Sequence, residues 1–494
     1  MKRLTPPLAP VLVAFASVVL GLGTVIYVTM VSDSVIRVAV LPLVMVLLAL
    51  LVIDKRSLFL LIMLFRSACD PVFNAAKFSA SGVSLGMGAA LNALVILIAV
   101  LFMLERRAAD ARRNIPPWVL LVLPVLMLSV LRSPEPGTAL RTALVLLSYA
   151  AMFLMPFHLV KTKDDVSTWI RVVLLSSLLP ILYAFVDIAI NWNAGGPDGF
   201  RLRSTFSHPN IFAFYLLLMI SLLLYRIKTQ IGPLSVAGRW WSGISMAVLI
   251  VLLLLTKTRS AWLACFAIFG IYAAAFERRM LLYLIAAPLL ALLLPEVRER
   301  LLDLTASSVY DPYAPLNSFD WRLEIWKSGL AWMQPLSWLI GNGLNAFTYY
   351  SPQFFPLAGN TNPGAHNVYV QWFFETGALG MLCFIWIIFR LLRRLAQRLP
   401  LDRHGSTILV ALVIAYLVVC ASDNMIDYLS FNWYFWFVIG TACRSVEVMQ
   451  TSDRAAASNI LPLSAAKLPT TRGRKRALRT REPSTPVTPS TVSK

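Results

Sequence analysis

The chain has 494 residues, 58% of them hydrophobic and only 14% charged, with a mean hydropathy of +0.72. Soluble domains carry about one-quarter charged residues, so an ordinary globular core is excluded as the destination of this much apolar surface. The formal net charge, 44 − 24 = +20, does not point to nucleic acid: the basic residues fall between apolar runs, where the positive-inside rule and anionic lipid headgroups account for them.

Apolar runs recur at about 9–31, 35–53, 57–68, 83–104, 116–132, 139–160, 168–190, 209–226, 240–256, 259–276, 280–294, 367–389, 406–422 and 430–447. Most can cross about 30 Å of hydrocarbon, where a helix satisfies its own backbone. The predicted fold is an all-α polytopic membrane protein of about 12–14 transmembrane helices. The count turns on 57–68, a short run ending near Arg66, Asp70 and Pro71 that reads as half-membrane or broken. The first run, Ala9 to Val31, is expected to be a retained span that also targets the chain. The five cysteines (Cys69, Cys265, Cys383, Cys420 and Cys443) have no metal-ligand or disulfide-framework spacing and read as small core residues.

Basic residues set the expected orientation. Lys2, Lys55, Arg106, Lys161, Arg226, Arg278 and Arg390 with their basic neighbours fall in alternate loops, which places both termini in the cytoplasm. Three regions follow: N-terminal spans over 1–200, a region 201–449 that contains a large outward loop at 295–366, and a tail at 450–494. The tail is Ser/Thr/Pro-rich, carries Arg472, Arg474, Lys475 and Arg476, and is expected to be disordered and close to anionic lipid. In the large loop, Trp321, Trp326, Trp332 and Trp338 suggest an amphipathic helix at the membrane interface.

Four clusters of polar groups fall on the outward face, and ionisable groups at membrane depth are functional candidates. They are Arg201 and Arg203 leading to Ser207, His208, Pro209 and Asn210; then Thr256 to Ser260, with Arg259; then Asp320, Arg322, Glu324 and Trp326, followed by Gly341 and Gly343; and finally His366, Asn367 and Glu375 with Gly377. Each also has a structural reading. Arg259 could snorkel, Arg322 could lie on an exposed helix face, His208 could start a helix, and Glu375 could be a paired structural carboxyl. Taken together, several arginines and a histidine at one aqueous boundary suit a reaction with a diphosphate leaving group. Arginine binds phosphate bidentately, and histidine can take a proton from a hydroxyl nucleophile. No Asp-x-Asp motif, phosphate-cradling Gly-rich Lys loop or zinc-ligand spacing occurs. Asp423 and Asp427 are the nearest paired acids and read as loop polarity, or as ligands for an acceptor or a cation.

In this order the clusters resemble the O-antigen ligase and Wzy-type polymerase superfamily, most densely over about residues 200–390. The resemblance implies a GT-C-like, inverting, metal-independent glycosyltransferase of the bacterial inner membrane. Its donor would be an undecaprenyl-diphosphate-linked glycan at the periplasmic face. It needs no cofactor and no nucleic acid, and works among membrane lipid and other polysaccharide-assembly proteins. Carried onto matching positions, His366 is the catalytic base, while Arg259, Arg322 and Arg203 grip the diphosphate. His208, Asn210, Asn367 and Glu375 are candidate substrate-binding residues. The first expectation is a polymerase for O-antigen or exopolysaccharide; the alternative is a ligase acting on lipid A-core. A transporter or flippase is the reading from another class. It would place charges along a mid-membrane path and show two matching halves.

Overall fold

The computed structural model describes residues 46–47, 49–70, 77–80, 83–105, 120–193, 199–229, 234–291, 318–359 and 361–465. The first segments are α1 (Lys55–Phe65), α2 (Met87–Glu105), α3 (Val122–Leu131), α4 (Pro136–Leu159), α5 (Lys163–Leu175) and α6 (Leu178–Asn191). The central ones are α7 (Pro209–Lys228), α8 (Val236–Leu255), α9 (Arg259–Phe276) and α10 (Arg279–Ala291). Then come α11 (Ser318–Trp332), α12 (Pro335–Ile340), α13 (Ala346–Phe354), α14 (Val368–Ala396), α15 (Arg403–Cys420) and α16 (Leu429–Ala465). Among the described residues, 7 helices are long and apolar enough to cross a membrane, with α5 and α6 together forming one span, Lys163–Asn191. The expected polytopic helical architecture is therefore present. The run 9–31, most of 35–53 and the loop segment 295–317 lie outside the described residues.

Several boundaries differ from the apolar pattern. Val83–Gly86, expected to begin a span, is a β-strand paired antiparallel with Lys77–Ala80, and the helix starts only at Met87. The 57–68 run is broken, as its ending suggested: α1 stops at Phe65 and tightens into a 3₁₀ turn over Arg66–Ala68. There Arg66 pairs with Asp70 at 2.5 Å, and Ser430 donates to the same carboxylate at 2.9 Å. A buried ion pair of this kind is tolerable at membrane depth because each charge has its partner. The last helix continues past residue 450, where a disordered tail was expected, as far as Ala465; residues 466–494 lie outside the described residues. Contacts along the chain group Met1–Met449 as one unit and Gln450–Lys494 as another.

Helix α7 forms the middle of the first unit. It is apolar on every side, and all its residues from Ile211 to Tyr225 are buried, as expected of a helix without a polar face. Helices α9 and α15 pack against each other and against α7. The basic ends of these spans are tied together rather than left to solvent. Lys228 meets Glu277 at 2.5 Å, and Tyr272 shares a hydrogen bond with His404 at 2.9 Å. Arg398 donates to Tyr225 at 2.5 Å and to Asp402 at 2.8 Å, while Arg394 and Arg444 converge on Glu447.

The large loop folds onto α14. Phe347 packs edge-on against Phe354 and Phe374 at 5.2 and 5.1 Å, Phe354 is tilted against Phe374 at 5.6 Å, and Trp332 lies 5.9 Å from Phe374. The tryptophans therefore do not form one interfacial stripe: Trp338 sits on α12 against Phe373, and Trp321 packs on Phe355. Neighbouring aromatic rings offer these indoles more contact than a lipid surface would.

The link between loop and membrane is a break in α14. Gly377 (φ 66, ψ −167) interrupts the helix and frees the carbonyls of Phe374 and Glu375. The backbone N–H groups of Asn342 and Gly343 donate to those carbonyls, each at 2.9 Å. On its other side the 341–344 segment is held by the end of α3. Arg132 Nε donates to Gly341 O at 2.9 Å, and Ser133 Oγ to Leu344 O at 2.7 Å. The approach is so close that a Cβ on Gly341 would lie 2.2 Å from Glu375 O, and one on Gly377 2.5 Å from Gly341 N. Gly341→Ala and Gly377→Ala are each expected to destabilise the protein by about 3 kcal/mol or more, through backbone strain and lost hydrogen bonds. Thermal unfolding of the purified protein checks this; an unchanged midpoint in either variant contradicts the docking.

Candidate active site

At the end of the bundle opposite the Lys228–Glu277 and Arg398–Asp402 pairs, the starts of α7, α9, α14 and α16 meet the ends of α8 and α15. Asn210, the second residue of α7, joins these elements. Its Oδ1 accepts from Arg201 Nη2 at 2.9 Å and from Thr258 Oγ1 at 3.2 Å. Its Nδ2 donates to Asp423 Oδ2 at 2.7 Å, with Tyr428 Oη further off at 3.4 Å. The amide's bonding capacity is thus used inside the protein. Asn210 ties Arg201, Thr258 and Asp423 together.

Arg201 likewise faces inward. Besides Asn210, its guanidinium reaches Thr256 O through Nε at 3.2 Å. Arg203, two residues on, is exposed; its backbone N–H donates to Asp187 Oδ2 at 3.3 Å. The loop between them is fixed by Leu202 N donating to Leu255 O at 3.0 Å. Arg259 is the first residue of α9, directly after Thr258, and is half-buried. The Thr258 side chain does not cap α9 because it is turned to Asn210.

Helix α11 brings the third cluster in. Arg322 Nη1 donates to Ser422 O at 2.8 Å, one residue from Asp423. One turn along the same face, Trp326 Nε1 donates to Ala365 O at 2.6 Å and so holds the segment that carries His366. His366 adopts a left-handed conformation (φ 48), and Trp321 lies 6.3 Å from its imidazole. Non-glycine residues with positive φ are uncommon and collect at functional sites. Those among the described residues are Ser204, Lys257, Asn345 and His366, all at this end of the bundle. Asn367 caps α14, its Oδ1 accepting from the N–H groups of Tyr369 (2.9 Å) and Val370 (3.2 Å).

The electrostatics bind the two histidines to one centre. Desolvation and the nearby Arg322 charge hold His366 below the ordinary imidazole pKa, while Asp423 opposes them. His208 is also lowered, first by desolvation and then by Arg201, again with Asp423 opposing and His366 adding to the effect. Asp423, 4% exposed, is therefore the anion shared by both imidazoles. Burial and this carboxylate keep Tyr428 a phenol, which donates to Asp423 Oδ1 at 2.5 Å.

Arg322 and His366 thus share one centre with His208 and the Asn210 hub, which also holds the turn leading to Arg259. Glu375 sits apart. It is 4% exposed, accepts from Gln371 Nε2 at 3.3 Å, and lines a cavity of about 30 Å³ with Thr142, Asn345, Asn424 and Asp427. Its backbone carbonyl belongs to the α14 break, so its place is beneath the loop rather than beside His366. Sequence reading passed over Tyr428, and named Arg201 within the first cluster without giving it a role. Asp423 and Asp427 stood out only as paired acids, and nothing local shows which of them faces α7. Asn210→Ala is expected to cost about 2 kcal/mol, because it leaves Asp423 and Arg201 without a shared partner. Thermal unfolding of the variant reads this, and wild-type stability would remove Asn210 from its central position.

No curated protein gives a match to this chain. Residues 244–385 match the family described as O-Antigen ligase. That stretch runs from α8 into α14 and contains Arg259, Arg322, His366 and the Glu375–Gly377 break, while Arg201, Asn210 and Asp423 complete the site from outside it. The chain is a multi-pass membrane protein in which residues 244–385 are similar to the O-antigen ligase family.

Proposed function

We propose that this protein is a glycosyltransferase that polymerises glycan repeat units carried on undecaprenyl diphosphate, at the periplasmic face of the bacterial inner membrane. The observation that carries the reading is the convergence of His366, Arg322 and Asp423 on one end of the bundle. His366 accepts the proton of the acceptor hydroxyl. The oxygen then attacks the anomeric carbon from the side opposite the diphosphate, which inverts the configuration. Arg322 and Arg259, with Arg203 at the rim, hold the diphosphate, and arginine suits this because it stays charged and binds phosphate bidentately. Asp423 stabilises the imidazolium formed on His366. The chemistry requires no metal, since cationic side chains take the leaving-group charge. Gathering of the charges at one end, and not along a path through the bilayer, supports transfer over transport.

The ligase reading, with lipid A-core as acceptor, is favoured by the similarity of residues 244–385 to the O-antigen ligase family. A deletion strain separates the two. Loss of a polymerase leaves single repeat units on the acceptor; loss of a ligase leaves long glycan on the carrier lipid. Purified protein is expected to transfer glycan without an ion gradient, and His366→Ala to lower the rate by about a hundredfold or more. Retained activity in that variant rules out His366 as the base.

The sign of the pH dependence follows from the same geometry. Only neutral imidazole accepts a proton, so activity falls as pH drops through the His366 pKa. Arg322 and desolvation lower that value, placing the acid limb of kcat/KM below about pH 6.5. Asp423 favours the imidazolium, so Asp423→Asn is expected to move the limb to lower pH. A shift to higher pH in the variant would contradict the assignment.

A further inference from the structure

His208 stands at the same mouth as His366, and its hydrogen bonding differs in a way that determines its chemistry. The backbone N–H of Asn210 donates to His208 Nδ1 at 3.1 Å, so the imidazole caps α7 as an acceptor. A neutral imidazole has one acceptor and one donor nitrogen, and occupying Nδ1 as acceptor places the proton on Nε2. Protonating Nδ1 would break the cap. The ring is exposed, and the next residue, Pro209, has no N–H to compete for it.

We propose that His208 is a catalytic residue fixed as the neutral Nε2–H tautomer, donating a hydrogen bond to an oxygen of the departing diphosphate. The inference rests on the glycosyl-transfer reading and gives this histidine a role opposite to that of His366. His208 cannot be the base, because its one unoccupied nitrogen already carries a proton. Its surroundings suit an anion: Arg201 lies beside it, and the start of α7 adds the positive end of a helix dipole. In the transfer step, the acceptor oxygen bonds to the anomeric carbon while the bond from that carbon to the diphosphate oxygen breaks. The electron pair passes to the diphosphate oxygen, and the acceptor's proton passes to His366. The diphosphate gains one negative charge, and a donor already aimed at that oxygen is stronger in the transition state than in the bound substrate. Asn210 serves both functions, since its N–H sets the His208 tautomer and its side chain ties Arg201, Thr258 and Asp423 together.

The test separates the cap from the donor. His208→Asn keeps a capping oxygen but places no donor where Nε2–H stood; His208→Ala loses both. The full chain, reconstituted in lipid nanodiscs, is assayed with undecaprenyl-diphosphate-linked glycan. His208→Asn is expected to hold its unfolding midpoint within about 2 °C of wild type. Its kcat should fall by about ten- to a hundredfold, with KM for the donor changed less than about threefold. His208→Ala should lose thermal stability as well. Wild-type kcat in a stably folded His208→Asn variant overturns the proposal and leaves His208 a helix cap. A rise in KM without a fall in kcat overturns it too, since ground-state binding is then the role. His366→Ala runs alongside: if it transfers normally, the base assignment fails while the His208 result stands. If wild-type protein transfers nothing, the glycosyl-transfer reading itself fails.

Discussion

The break in α14 at Gly377 is the constraint on which the rest of the arrangement depends. A backbone leaving helical geometry inside a buried helix must find other partners for its carbonyls. Here the N–H groups of Asn342 and Gly343 are those partners, and α3 clamps the segment from the other side through Arg132 and Ser133. The large loop is thereby fixed to the spans, and the first turns of α14, which follow directly from His366, are fixed with it.

From this anchor the aromatic cluster around Phe374 sets the position of α11, and α11 in turn sets the reacting groups. One face of that helix carries Arg322, bonded to Ser422, and Trp326, bonded to Ala365. A single packed helix thus couples the position of the Arg322 guanidinium to that of the segment carrying His366. Tying both to one packed element limits their relative movement.

The two ends of the bundle use polar residues differently. At the basic end, charges are consumed in pairs such as Lys228 with Glu277 and Arg398 with Asp402, which hold the spans together. At the other end Arg201 and Asp423 meet on Asn210, and Asp423 acts electrostatically on both His208 and His366. Cations and imidazoles around a buried carboxylate suit an anionic leaving group and a hydroxyl nucleophile in the same space.

The sequence by itself determined the membrane class, the approximate positions of the 7 spans found among the described residues and the candidate clusters. Apolar length and intramembrane polar residues are local properties, and α9 begins and ends where its pattern does. The O-antigen ligase resemblance was likewise carried by short local motifs. What only the tertiary structure decided was which of these residues meet, and in what role. Asn210 is a hub and Asn367 a cap, roles set by hydrogen-bond partners that lie elsewhere in the fold or in the turn they begin. Glu375 belongs with the loop-anchoring break rather than with His366. Asp423 enters the site from a connection more than two hundred residues from Asn210, a proximity that no local spacing encodes. The His208 tautomer is set by one backbone N–H, and that depends on how the chain turns into α7.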